Sequence, residues 1–227
     1  MKRRMAQLIW DLSHKMQNHQ PRFATHTQYF RMMWNRLEDD DNSAHAQIVL
    51  GEHSGTHVDA PCHFFADGKA IDELPLDRFN GPGRCIDVRH VGPGQSVTGQ
   101  AIIQFERQYG TLFAGDVVLF CFGFDALWGI GRAGRRYSIA WPGVSADAAN
   151  ILVQRQVRSV GTDAISIDVS GDPASPAHHI LLGSEIPVYE NLTGLNNILG
   201  KSFQFHGVPL RIGEGTGSPV RAWAESG

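Results

Sequence analysis

The sequence predicts a mixed α/β fold of low regularity. Three observations carry this. Several short apolar segments are rich in β-branched and aromatic residues. Two stretches repeat apolar residues at helical spacing behind a Thr or a Ser. No repeat, low-complexity tract or Pro/Gly/Ser linker divides the 227 residues. That length suits one domain with a sizeable core, so residues 1–227 are assigned to a single domain.

Taken in order, residues 7–13 (QLIWDLS) read as an opening strand. Residues 17–45 are polar and irregular, with aromatics at Phe23, Tyr29, Phe30 and Trp34 and an acidic run at 38–41 that suits a solvated turn. Residues 46–51 (AQIVLG) form a strand leading into HSGTHVDAPCHF. Residues 84–91 (RCIDVRHV) and 116–123 (DVVLFCFG) are strands. Between them Thr98 can cap a helix from Gly99 to Tyr109, with Ile102, Phe105 and Glu106 at helical spacing. Ser145 can cap a second helix from Ala146 to Val157, whose Ala148, Ala149, Leu152 and Val153 make one buried stripe. Strands at 158–161 and 164–169, a loop with Pro173 and Pro176, and strands at 185–190 and 208–212 complete the chain.

Composition excludes several function classes. A hydrophobic content of 42% and a charged content of 19% are those of a soluble globular protein. A net charge of -3 gives no basic surface for nucleic acid or an anionic membrane. No stretch approaches the roughly 18 apolar residues of a membrane helix, and the short apolar run in MKRRMAQLIWDLSH is not a signal peptide. Cys62, Cys85 and Cys121 are odd in number and form no C-x-x-C pair, which suggests reduced thiols and a cytoplasmic protein.

Histidine, with 11 residues, is the enriched ionisable type, and three of the 11 fall in residues 53–64. On a straight strand His53 and His57 would lie about 13 Å apart, too far for one ion with ligand bonds near 2 Å. On a helix Asp59 would point away from His57, and Gly55, Thr56, Val58 and Pro61 disfavour a helix. A bend at Ser54-Gly55-Thr56 followed by an extended piece into Pro61 remains. It puts His57 and Asp59 on one face and brings His53 back to them. Two imidazoles and a carboxylate suit Zn²⁺ or Mn²⁺ and leave positions open for water and substrate. The competing reading is a turn in which histidines only cap backbone groups.

His63 lies four residues past Asp59 and can act as a general base that then protonates a leaving group, or simply as a structural histidine. HHILLGSEIPVYENL (178–192) offers a second imidazole and carboxylate, with Asp163 and Asp168 as rivals that read equally well as strand-end hydrogen-bonding residues. No G-x-S-x-G elbow and no phosphate-binding glycine loop is present. Cys62 is a poor nucleophile candidate, because it faces away from the neighbouring His63 on an extended chain. The run RAGRR (132–136) reads as an exposed loop more readily than as an anion site.

With these residues in view, the chain resembles the metal-dependent cyclase family, which includes bacterial kynurenine formamidases and isatin hydrolases. The resemblance runs through Asp11-Leu12-Ser13, HSGTHVDAPCHF, GDVVLF, VGTDAISID, HHILLGSEIPVYENL and VPLRIGEGTGSPVRAWA. It implies a swivelling β/β/α domain with a partly barrel-like mixed sheet and a few flanking helices. It implies a homodimer or higher homo-oligomer whose partner chain helps to wall the pocket. By position, His53, His57 and Asp59 match the ligands of a first divalent ion. His178, with His179 as its competitor, and Glu190 match the distal pair that allows a second ion, with Asp59 as bridge. His63 matches the proton-transfer residue.

The implied activity is hydrolysis of a cyclic or aryl amide with one or two Zn²⁺ or Mn²⁺ ions per chain. A lactone hydrolase or cyclase on the same scaffold is the alternative, and a non-catalytic metal-containing binding protein is the alternative of another class. The small-molecule substrate is expected to meet the loops 17–34 and 122–143, where Phe23, Trp34, Trp128 and Tyr137 are aromatic candidates for its pocket.

Overall fold

A computed structural model describes residues 8–226; Gln7 of the expected opening strand lies outside the described residues. The strands are β1 (Ile9–Asp11), β2 (Phe30–Asn35), β3 (His45–Val49), β4 (His57–Asp59), β5 (Asn80–Asp87), β6 (Ser96–Val97), β7 (Val117–Cys121), β8 (Gly143–Val144), β9 (Ser159–Thr162), β10 (Val188–Glu190), β11 (Phe203–His206), β12 (Gly217–Pro219) and β13 (Trp223–Ser226). The α-helices are α1 (Gly99–Tyr109), α2 (Ala146–Gln154) and α3 (Pro176–Gly183). Nine strands form one curled mixed sheet in the order β1-β13-β11-β5-β7-β9-β10-β4-β12, so the fold is mixed α/β as expected.

The centre of the sheet is parallel: β5, β7, β9 and β10 run side by side, and α1, α2 and α3 make the three crossovers between them. Every residue of β7 is buried, as a strand covered on both faces requires. Val118 and Phe120 join Ile102 and Phe105 of α1, Leu152 of α2 and Leu181 of α3 in one core. Val117 and Leu119 point to the other face, into a second core with Tyr189, Phe203 and Phe205. The flanking strands are antiparallel, and β4 lies between β10 and β12. At the opposite end of that order β1 pairs with β13, and the Arg221 guanidinium grips the Asp11 carboxylate at 2.8 and 2.6 Å.

Several expected elements differ. Residues 164–169 make no strand; they run as turns, with Ile165 and Ile167 in the core and the Ile167 N–H donating to Glu190 Oε1 at 2.8 Å instead of to a neighbouring strand. Residues 208–212 hold a single bridge, Pro209 to Val220, since proline lacks the N–H that a ladder needs. The expected loop at Pro176 is the first turn of α3, where proline's missing N–H costs nothing. Residues 17–45 contain β2, which pairs with β3 in a hairpin exposed on both sides and therefore without an alternating pattern. The second helix stops at Gln154, and Gln156 leaves it at φ 55°. Ser145 caps that helix through the Ala148 N–H, whereas Thr98 does not cap α1; there the Gly99 N–H goes to Asp147 at 2.8 Å.

Candidate metal centre

The turn before β4 forms as the residues require. Gly55 sits at φ 64°, a conformation that costs glycine little, and the chain then extends through β4. Asn191 at the end of β10 locks the turn: its Nδ2 donates to the Gly55 carbonyl at 3.0 Å, and the Thr56 hydroxyl donates to the Asn191 carbonyl. On β4, His57 and Asp59 share one face while Val58 enters the second core. Glu190 lies directly across from His57 in the β4–β10 pairing. The face they share is the one covered by α3, which delivers His178.

His53, His57 and Asp59 form one group whose ligand atoms all lie within 4.8 Å of one another, and Asp59, His178 and Glu190 form a second. Asp59 belongs to both. Its Oδ1 is 2.6 Å from His53 Nδ1 and 3.3 Å from His57 Nε2, and its Oδ2 is 3.3 Å from His178 Nε2. Glu190 places Oε1 3.1 Å from His178 Nε2 and Oε2 3.5 Å from His57 Nε2.

Hydrogen-bond direction tests whether these residues fit a cation. His57 Nδ1 donates to the Gly55 carbonyl at 2.8 Å, which leaves a lone pair on Nε2. That buried Nε2 has no hydrogen-bond partner among the described residues, and it faces two carboxylates that cannot donate to it. His178 repeats the arrangement: Nδ1 is 2.6 Å from Asp168 Oδ2, and Nε2 faces Asp59 and Glu190. A carboxylate behind a histidine that turns its other nitrogen inward is the usual support of a metal-ligating imidazole. Lone pairs of nitrogen and oxygen this close are stable only around a positive charge. The donor set of imidazoles and carboxylates fits a divalent ion such as Zn²⁺ or Mn²⁺.

The same demand shows in the acid–base behaviour of the cluster. Burial disfavours charge on His57, but Asp59 and Glu190 outweigh it and raise its basicity. For His178, too, burial is overcome, by Asp168, Asp59 and Glu190, which hold it well above the usual imidazole range. Burial works against ionised Asp59, yet His53, His57 and His178 hold its carboxyl well below the usual range. The metal-free cluster thus draws protons into the places a cation would take.

His63 stands at the edge of this cluster, in a short turn opened by Pro61. Its ring stacks on that of His53 with centroids 4.0 Å apart, and burial pushes it down to about 4 against the pull of Asp59. At neutral pH it is an uncharged imidazole. His179, the competitor of His178, is exposed and turned away, with Nδ1 2.9 Å from the Ser175 carbonyl.

The aromatic candidates divide. Phe23 lines a cavity of about 280 Å³ beside Asp168, together with Trp141, Ser166 and Pro173. Trp128 stacks on His14 at 4.0 Å. Tyr137, by contrast, is fully buried, with its hydroxyl 2.9 Å from the Asp163 carbonyl and from Asn191 Oδ1, so it braces the loop and does not line a pocket. Trp34 is 73% exposed on the hairpin strand β2. Of the rival aspartates, Asp163 accepts the N–H groups of Phe122, Gly123 and Phe124, and Asp168 supports His178 while also capping α3 through the Ala177 N–H at 2.7 Å.

His26 and Trp141 lie in the loops 17–34 and 122–143 expected to meet the substrate, although neither was singled out as a candidate. His26 lies 5.3 Å from His53, ring to ring, and Trp141 meets Phe23 edge-on at 5.6 Å. Neither sits in a motif; only the fold brings them here. A larger cavity, about 830 Å³, lies between α1 and the loop after β5, and none of the cluster residues lines it.

The family model named Cyclase matches residues 10–169, more than half of the chain. The chain belongs to the Cyclase family. It is 35% identical over 191 residues to a kynurenine formamidase of Salinibacter ruber, covering 82% of each chain. It is 27% identical over 217 residues to a kynurenine formamidase of Bacillus cereus, covering 93% of this chain and 94% of that one. Among solved structures, isatin hydrolase A from Labrenzia aggregata superposes with a TM-score of 0.88 at 25% identity, over 97% of this chain and 94% of that one. An isatin hydrolase bound to the product analogue thioisatinate gives the same TM-score, 0.88, at 26% identity over 96% and 92% of the two chains. No described helix is long and apolar enough to cross a membrane.

Proposed function

We propose that this Cyclase-family chain is a divalent-metal-dependent hydrolase that opens a cyclic amide or cleaves an aryl formamide. The observation that carries it is the buried, unpartnered Nε2 of His57, aimed between the carboxylates of Asp59 and Glu190. The kynurenine formamidase and isatin hydrolase relatives supply the reaction class. His53, His57 and Asp59 would hold one ion, and Asp59, His178 and Glu190 a second, with Asp59 shared between them. A divalent ion there supplies Lewis acidity toward a carbonyl and acidifies water.

The protein's own groups perform the remaining work. Asp168 keeps His178 oriented through Nδ1. Phe23 and Trp141 form an aromatic wall beside Asp168, suited to a flat ring. Neutral His63 takes the proton released as water adds to the carbonyl, and its low basicity makes its protonated form a strong acid. It then gives that proton to the departing nitrogen as the C–N bond breaks, leaving an amine and a carboxylic acid that ionises to the carboxylate.

The test is hydrolysis of N-formylkynurenine and of isatin by the purified protein, stripped of metal and then given Zn²⁺ or Mn²⁺ separately. Turnover of an amide that depends on the added ion is expected. Full activity after exhaustive chelation, or turnover of lactones alone, contradicts the proposal. We also propose a cytoplasmic homodimer. The free cysteines suit a reducing compartment. The hairpin exposes Phe30, Met32, Trp34, Ile48 and Val49, each more than half accessible, in an apolar surface fit for a second copy. Sedimentation of a monomer, or recovery from a secreted fraction, contradicts that part.

A further inference from the structure

His57 and His178 both turn Nδ1 outward, to a carbonyl and a carboxylate, and present Nε2 to the cluster. His53 is reversed: Nδ1 faces Asp59 Oδ1 at 2.6 Å and Nε2 points away, 2.9 Å from the Thr216 hydroxyl. Something must set that orientation, because a neutral imidazole carries only one ring proton and either nitrogen can hold it. We propose that Glu52, acting through the Thr216 hydroxyl, is the positioning residue that fixes the proton of His53 on Nε2 and so presents Nδ1 as an ion ligand. This inference rests on the reading of the site as a metal centre.

The direction of each hydrogen bond sets the proton. Glu52 Oε2 accepts from the Thr216 backbone N–H at 2.9 Å and from the Thr216 hydroxyl at 2.6 Å. A carboxylate only accepts, so the single hydroxyl proton of Thr216 is directed to Glu52. Toward His53 the hydroxyl oxygen can then only accept, and Nε2 must donate. With its one proton on Nε2, the neutral ring has its lone pair on Nδ1, aimed at Asp59.

The relay is held in place by the fold. The Thr216 carbonyl accepts the Ala60 N–H at 2.9 Å, and the next residue, Gly217, pairs with Asp59 in the sheet. A Cβ at Gly217 would meet His53 Cε1 at 2.7 Å, so the imidazole lies flush against the backbone of β12, and only glycine leaves room for it. Among the described residues, the Glu52 and Thr216 side chains hydrogen-bond to no other side chain of the cluster than His53.

Chelator competition measures zinc affinity for the wild type and for the Thr216→Val, Thr216→Ser and Glu52→Ala proteins. Ring ¹H–¹⁵N correlation spectra of the zinc-loaded wild type locate the His53 proton. Loss of an outer partner of a metal-ligating histidine costs about 10–100-fold in affinity, so T216V and E52A are expected to bind zinc about 10–100-fold more weakly. T216S keeps the hydroxyl and is expected to restore wild-type affinity, and the wild-type spectrum is expected to show the His53 proton on Nε2. A His53 proton on Nδ1 in the zinc-loaded wild type overturns the inference even if a variant fails to fold. T216V and E52A proteins that bind zinc as tightly as the wild type overturn it as well, while leaving the metal reading intact. A wild type that takes up no ion overturns the metal reading and this inference with it.

Discussion

Asp59→Asn is expected to lose ion binding at both positions and turnover with it. The two carboxylate oxygens serve different partners, Oδ1 the His53–His57 pair and Oδ2 His178, and both are buried. An amide keeps the shape but replaces one acceptor oxygen with a donor NH₂ and removes the negative charge. That NH₂ would face an imidazole that needs a cation in front of it. Changing a residue merely next to a metal ligand costs about 10–100-fold in affinity. Changing the one carboxylate common to both groups should therefore cost more than about 100-fold at each position. Elemental analysis after equilibrium dialysis reads the bound ions per chain, and steady-state assay reads the turnover. A D59N protein that keeps both ions at wild-type affinity contradicts the shared role of Asp59.

His63→Ala is expected to leave ion content unchanged and lower turnover by about 10²–10⁴-fold, the range for loss of a positioned proton-transfer group. The separation of the two effects follows from geometry. His63 reaches the cluster through stacking on His53 and makes no recorded hydrogen bond to Asp59 or Glu190. Its basicity, pushed down to about 4 by burial, keeps it uncharged at neutral pH and makes its protonated form a ready donor. The same equilibrium dialysis and elemental analysis used for the Asp59 variant, run beside the amide assay, distinguish the cases. Normal hydrolysis by H63A removes His63 from the mechanism; loss of the ion would make it a ligand instead.

What was legible in the sequence was local. The bend at Gly55 and the extension into Pro61 could be read from backbone preferences, and they place His53, His57 and Asp59 together. The helices α1 and α2 were legible because each presents one buried stripe to the sheet. The distal half of the cluster was harder. His178 and His179 are adjacent in sequence, and only the helical twist of α3 decides which faces the core; the start of that helix was hidden because Pro176 reads as a loop residue in isolation. The alternation in residues 164–169 suggested a strand, but Ile165 and Ile167 alternate with Ser166 and Asp168 because the loop divides core from site. The outer hydrogen-bond partner of His53 was not legible at all. Thr216 lies 163 residues away along the chain, and no spacing rule connects them. His26 and Trp141 were legible only as members of the loops 17–34 and 122–143; neither sits in a motif that singles it out.

His53 Nδ1, His57 Nε2 and the Asp59 carboxylate are expected to surround one cation, and Asp59, His178 and Glu190 a second. Anomalous diffraction from crystals of the protein grown with Mn²⁺ or Zn²⁺ tests this most directly. A strong peak is expected between His53, His57 and Asp59, and a second between Asp59, His178 and Glu190 where the other position is filled. Crystals soaked in either ion that show no anomalous density at these side chains, with His57 Nε2 engaged instead by a protein hydrogen bond, would contradict it.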